Sequence, residues 1–202
     1  GTSVNIVSSI DTNHSIPPND FGNGFYAGLN LYQAATWVAN NSNASIYCFY
    51  ADIKRLKTIE FEVDRKWLYA ILYYRGAFST GECPIEITPI VEEVEKSDIV
   101  IAPIADNQMY QIINDFIDNL ITDESCLHAL SATNLGKQYV FKTEDACRCL
   151  KCIDRLYLCS NEKQAYIRTK KQSEKEGREK VKISEIKYRR EGKYFDELFK
   201  RV

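Results

Sequence analysis

Apolar and polar positions divide the chain into short alternating strands and helices of 3.6-residue period. Ser3 to Ser9 alternates weakly around Val4, Ile6 and Val7 and predicts a strand. Asp20 to Gly28 reads as a tight turn leading into a strand, because Gly22 and Gly24 permit positive φ and close backbone approach. Asn30 caps a helix carrying Leu31, Ala34, Ala35 and Val38. Strands are predicted at Ser45–Ile53 and Lys57–Val63, then a helix from Asp64 to Arg75 closed by Gly76. Asp98 to Ile104 is a nearly continuous apolar run, hence a buried strand. Asp106 starts a helix bearing Met109, Ile112, Ile113, Phe116 and Ile117, and Thr122 caps another through Ala132. Gln138–Phe141 alternates as a short strand, Thr143 caps a short helix holding three Cys, and Ile153–Cys159 makes a last strand.

From residue 161 onward Lys, Arg, Glu and Gln dominate, which predicts a long polar helix or a helical pair. Its end carries Tyr194, Phe195, Leu198 and Phe199 on one stripe and is expected to dock. The fold class is therefore α+β, about six short strands with surrounding helices, over residues 1–160, followed by a basic helical extension at 161–202 packed on it. Thirteen Tyr, nine Phe and two Trp among 202 residues exclude a disordered chain, and no apolar run is long enough to span a bilayer. Charge is unevenly divided: residues 1–159 carry a net −8 and residues 160–202 a net +6 within an overall −2. A basic end on an acidic body suits either its own body or an acidic partner such as nucleic acid. Glu residues interleave with the Lys and Arg, which fits a solvated helix with i,i+4 pairs better than a phosphate-binding face.

Seven Cys, an odd number without a secretion signal, point to reduced thiols and a cytoplasmic setting. Cys147, Cys149, Cys152 and Cys159 lack the paired knuckle spacing of structural zinc, so no metal is assigned. Conventional catalytic sets are missing as well. The only His are His14, in a turn, and His128, between apolar helix neighbours, and Gly22-x-Gly24 lacks the third glycine of a dinucleotide-binding turn.

Two segments together carry a resemblance. Phe21-Gly22-Asn23-Gly24-Phe25-Tyr26-Ala27 looks like the F-G-x-G-I-Y-F motif of poly(ADP-ribose) polymerases. Gln138-Tyr139-Val140-Phe141 looks like their E-Y-I-V strand, about a hundred residues later in each case. The wider stretch is more similar still to an uncharacterised bacterial family with a D-F-G-x-G-F-Y motif, grouped with ADP-ribosyltransferase folds of the His-Tyr-Glu type. That family is often encoded beside a small antitoxin-like protein.

The resemblance implies a split β-sandwich with NAD, as substrate, lying in its cleft. Gly1-Thr2-Ser3 looks like the tail of a His-Gly-(Ser/Thr) element, which implies a His immediately before Gly1 and cofactor contacts at Gly1 and Thr2. Tyr26 matches the Tyr that stacks on nicotinamide, flanked by Phe21, Gly22, Gly24 and Phe25, while Gln33 comes from a Gln-Ala helix in the shared stretch. Each has a plainer explanation: Tyr26 as a core aromatic, Asp20 as a turn residue, Gln33 as a solvated helix position. The catalytic Glu maps onto Gln138, and that departure matters.

Breaking the nicotinamide–ribose bond leaves positive charge on the sugar, which a carboxylate stabilises. An amide keeps the hydrogen-bonding shape without the charge, at a cost of about 10²–10³ in rate. Gln138 therefore points to mono-ADP-ribosyl transfer, to an acceptor that brings its own nucleophile, or to a catalytically inactive nucleotide- or protein-binding module that retains the cleft. Glu144 would substitute only if its loop turned it back into the cleft. Restoring the carboxylate with Gln138→Glu is expected to raise activity if the site is otherwise intact.

Overall fold

The computed structural model describes residues 2–3, 10–13, 15, 18–41, 45–79, 82–105, 107–132 and 136–199. Gly1, most of the first expected strand, His14 and Asp106 lie outside them. The architecture is mixed α+β, built on two sheets.

One sheet has the order β1-β3-β7, from Thr2–Ser3 (β1), Ser45–Ala51 (β3) and Leu150–Tyr157 (β7), all antiparallel. The other has the order β2-β6-β5-β4, from Phe25–Gly28 (β2), Lys137–Phe141 (β6), Ile99–Pro103 (β5) and Thr58–Glu60 (β4). Among the described strands only β4 and β5 pair in parallel. The chain between them forms the helices Arg65–Tyr74 (α2) and Thr88–Glu95 (α3).

The sheets meet through one face of each. Phe25, Ile99 and Phe141 pack with Leu150, Phe49 and Ala51, and the Phe25 and Phe49 rings meet edge to face. The other face of the four-stranded sheet presents Tyr26, Val100, Ala102 and Val140 to the main core. That core is filled by α2, α3, Asn107–Ile117 (α4) and Asp123–Ser131 (α5). Leu31–Val38 (α1) covers the smaller sheet with Ala35 and Val38 against Ile46.

Helix starts follow local chemistry. Side chains of Asn30, Asp64, Thr122 and Thr143 accept from the backbone N–H groups of Tyr32, Trp67, Ser125 and Ala146, satisfying donors that the first turn leaves unpaired. Gly76, at φ +77°, lets the chain turn away after α2.

Some expectations are corrected. The strand expected over Lys57–Val63 is only Thr58–Glu60, because β5 offers its parallel partner just three paired positions. The helix Glu144–Arg148 (α6) holds Cys147 alone; Cys149 caps it and Cys152 already belongs to β7. Helix α3 was not among the expected elements, although Ile87, Ile90, Val91 and Val94 fall at helical spacing.

The basic segment forms one helix, Ser160–Tyr188 (α7), and a short turn of helix, Phe195–Leu198 (α8). Helix α7 lies across two elements, with Tyr166 against Tyr32 of α1 and Tyr188 stacked on His128 of α5 at 3.6 Å between ring centres. Beyond it the chain re-enters the core. Buried Asp123 accepts from the Lys193 backbone N–H at 2.8 Å, and Phe195 and Phe199 are buried beside Phe116 and Phe78. Among the described residues no helix is long and apolar enough to cross a membrane.

Candidate functional site

Strand pairing brings the two motifs together. Gly28 of β2 lies opposite Gln138 of β6, Tyr26 opposite Val140, and Ala102 of β5 opposite Gln138. Because side chains alternate along a strand, Tyr26 and Gln138 emerge on the same face of the sheet. Both line a cleft of about 440 Å³, whose wall also includes Asp20, Gln33, Trp37, Arg75 and Tyr110.

Asp20 is the polar centre of this cleft. Its side chain is 6% exposed, yet it carries an ion pair with Arg75 at 2.8 Å. One carboxylate oxygen accepts from Arg75 Nε and Nη2 and from the Tyr110 hydroxyl; the other accepts from Gln138 Nε2 at 2.7 Å. The Arg75 guanidinium lies over the Tyr110 ring at 3.6 Å, a cation–π contact that holds the cation against the helix that carries Tyr110. Burial pushes the Asp20 carboxyl above its ordinary range, while the Gln138 hydrogen bond and the Arg75 charge oppose that shift. Gln138 gives its second amide hydrogen to the Pro103 carbonyl at 3.2 Å.

Tyr26 is tied into its own turn. Its hydroxyl donates to the Gly22 carbonyl at 2.8 Å and accepts from the Phe21 N–H at 3.1 Å. Burial pushes the phenol well above its ordinary range, so Tyr26 is a wall and a brace rather than a proton-transfer group. Gly22 adopts φ +72°, and a Cβ on Gly24 would stand 2.7 Å from Val140 Cγ1. Both glycines answer to this folded turn.

The other expected cofactor residues divide. Gln33 lines the cleft, and both of its amide atoms are buried with no hydrogen-bond partner among the described residues. Phe21 and Phe25 do not reach the cleft: Phe21 is fully buried and stacked on Phe61, and Phe25 faces the other sheet. Thr2 is seen only as a strand residue paired with Ile46, and Gly1 lies outside the described residues. Glu144 is exposed at the start of α6, where it accepts from the Thr12 hydroxyl, so it does not replace the missing carboxylate in the cleft. The Cys form no shared cluster, and among the described residues no group of three or more His, Cys, Asp or Glu is arranged to hold a metal.

Sequence reasoning missed Arg75 and Tyr110. Arg75 closes the helix expected from Asp64, Tyr110 was not singled out, and neither position carries a local signal. Their role arises only where α2 and α4 converge on Asp20.

The whole-chain comparison decides the family: its model matches residues 1–152, three quarters of the chain. The chain belongs to the family described as protein of unknown function DUF3990. No curated protein and no solved structure matches it. The DUF3990 match takes in Asp20, Tyr26, Gln33, Arg75, Tyr110 and Gln138, and ends within β7. Helices α7 and α8 lie beyond it.

Proposed function

We propose that this protein is a mono-ADP-ribosyltransferase-like enzyme that takes NAD as substrate in the Asp20–Gln138 cleft. The observation that supports the reading is the placement of Tyr26 and Gln138 on one sheet face, lining one cleft. The fit to the substrate is chemical. Gln33 offers a buried donor and a buried acceptor with no partner among the described residues, which suits a carboxamide or a nucleobase edge. Gln138 stands at the position onto which the resemblance maps the catalytic Glu, and Asp20 would supply negative charge beside it. Trp37, 56% exposed at the rim, offers an aromatic face for a ring.

On this reading the residues act by orientation and electrostatics. Ionised Asp20 and the polarised Gln138 amide favour positive charge on the ribose as nicotinamide departs. The acceptor macromolecule brings the nucleophile. Such a protein would act in the cytoplasm as a toxin or defence effector, restrained by a small antitoxin-like partner. The test is incubation of the full-length polypeptide with labelled NAD and lysate. Label transfer or nicotinamide release is the expected result, and the absence of both would overturn the reading.

A second reading is a binding module that keeps the cleft without chemistry. The observation favouring it is that Arg75 already pairs with Asp20, the carboxylate hydrogen-bonded to Gln138. Equilibrium binding of NAD without turnover would decide for it. Nucleic acid as a ligand of α7 is the weaker possibility, since acidic residues alternate with the basic ones along the helix. Oligonucleotide binding that weakens steeply with added salt is what it requires.

A further inference from the structure

We propose that Asp20 is a positioning residue that converts the Gln138 amide into a stand-in for the missing carboxylate, fixing its carbonyl oxygen toward the cleft and polarising it. The inference rests on the NAD reading above and names how that site works without a Glu.

The argument starts from the donors and acceptors available. A glutamine amide has two N–H groups and one carbonyl oxygen. Both N–H groups of Gln138 are used inside the protein, one by Asp20 at 2.7 Å and one by the Pro103 carbonyl at 3.2 Å. Turned over, the amide would point its oxygen at two acceptors. The orientation is therefore fixed, and the carbonyl oxygen is the part of the amide left for the cleft.

Asp20 is set up to be ionised. It receives Arg75 twice, Tyr110 once and Gln138 once, a donor set that matches a carboxylate and not a carboxylic acid. A carboxylate accepting from an amide N–H draws the amide dipole into line and raises electron density on the carbonyl oxygen. During transfer the ribose C1′–N bond breaks and its electron pair leaves on nicotinamide. Water or an acceptor hydroxyl then forms the new C1′–O bond and releases its proton to solvent. The Gln138 oxygen faces the positive charge that develops between those events, and Asp20 holds it there.

This arrangement reverses the simple expectation for Gln138→Glu. A second carboxylate would stand at hydrogen-bond distance from Asp20, and like charges so close cannot both ionise without cost. The decisive experiment is a cycle of Asp20→Asn, Gln138→Glu and the double variant. The double variant exchanges the two groups while keeping one negative charge and one hydrogen bond. Nicotinamide release and thermal unfolding at pH 5 and pH 8 are measured on the full chain.

Each single variant is expected to lose about 10²-fold in kcat with KM nearly unchanged, and the exchange to restore part of the loss. The restoration is partial because a carboxylate at position 138 recovers the bond to residue 20 but not the one to the Pro103 carbonyl. Gln138→Glu is also expected to unfold at lower temperature at pH 8 than at pH 5, a difference that the exchange removes. Single variants as active as the wild type, or an exchange no better than the worse single variant, overturn the inference. A wild type that releases no nicotinamide, with the unfolding cycle still coupled, overturns the NAD reading and leaves only the Asp20–Gln138 coupling. An uncoupled unfolding cycle overturns the coupling itself.

Discussion

Gln33 and Gly136 touch so closely that a Cβ on Gly136 would stand 2.7 Å from Gln33 Nε2, and a Cβ on Gly28 would stand 3.3 Å from the Gln33 oxygen. Two glycines thus make room for an amide that finds no partner among the described residues. An unpaired buried amide costs about 1–3 kcal/mol, a cost that folding alone gives no reason to retain.

Gln33→Met removes the polar atoms at similar length. Stability is expected to hold or to rise by about 1 kcal/mol in denaturant unfolding. NAD affinity, measured by calorimetry, is expected to fall by about tenfold or more. Unchanged affinity would mean that the amide meets no ligand.

Asp20 predicts a pH dependence whose sign follows from burial. Its folded-state pKa lies above the ordinary 3.8, so the folded chain holds that proton more tightly than the unfolded one. The stability this contributes is present below 3.8 and is lost as pH rises through the folded value. Unfolding measured across pH should therefore show wild type losing ground to Asp20→Asn as pH rises through that window. Nicotinamide release, which needs the ionised form, should run the other way and fall as pH drops through it.

The thiols should react in an order set by burial. Cys126 and Cys147 are buried, and burial pushes the Cys147 thiol up to about 11. At pH 8 such a group is thiolate for only about one part in 10³. Cys152 and Cys159 are exposed. Iodoacetamide followed by peptide mass spectrometry should label these two first, with Cys126 and Cys147 modified only on unfolding.

The segment beyond the DUF3990 match is expected to be needed for stability. Phe195 is 1% exposed and touches the rings of Phe78, Phe116 and Phe199. Phe195→Ala should cost about 3–5 kcal/mol in urea unfolding. A loss below about 1 kcal/mol would mean that α8 docks only loosely.

Much of the fold was legible because its signals are local. Asn30, Asp64, Thr122 and Thr143 cap helices by bonding backbone two or three residues ahead, so residue type and spacing suffice. The apolar run Ile99–Pro103 announces a buried strand for the same reason. Helix α3 lacks a side-chain cap, but its signals were local too. Ile87, Ile90, Val91 and Val94 fall at helical spacing and proline sits in its first turn, where it is favoured, so this element was overlooked rather than hidden. The fate of the Cys cluster was not legible, since α6 ends after one turn and β7 takes Cys152 outward.

The candidate site divides along the same line. By itself the sequence determined a turn at Asp20–Gly24, a strand bearing Tyr26, and a second strand bearing Gln138, all from short-range preferences of glycine, aromatic and β-branched residues. Only the tertiary structure decided that Phe21 and Phe25 face away from the cleft, that Tyr26 spends its hydroxyl on its own turn, and that Arg75 and Tyr110 converge on Asp20. The physical reason is distance along the chain. Asp20 and Gln138 are 118 positions apart, and the hydrogen bond between them exists only because β2 and β6 pair in the register that sets Gly28 against Gln138.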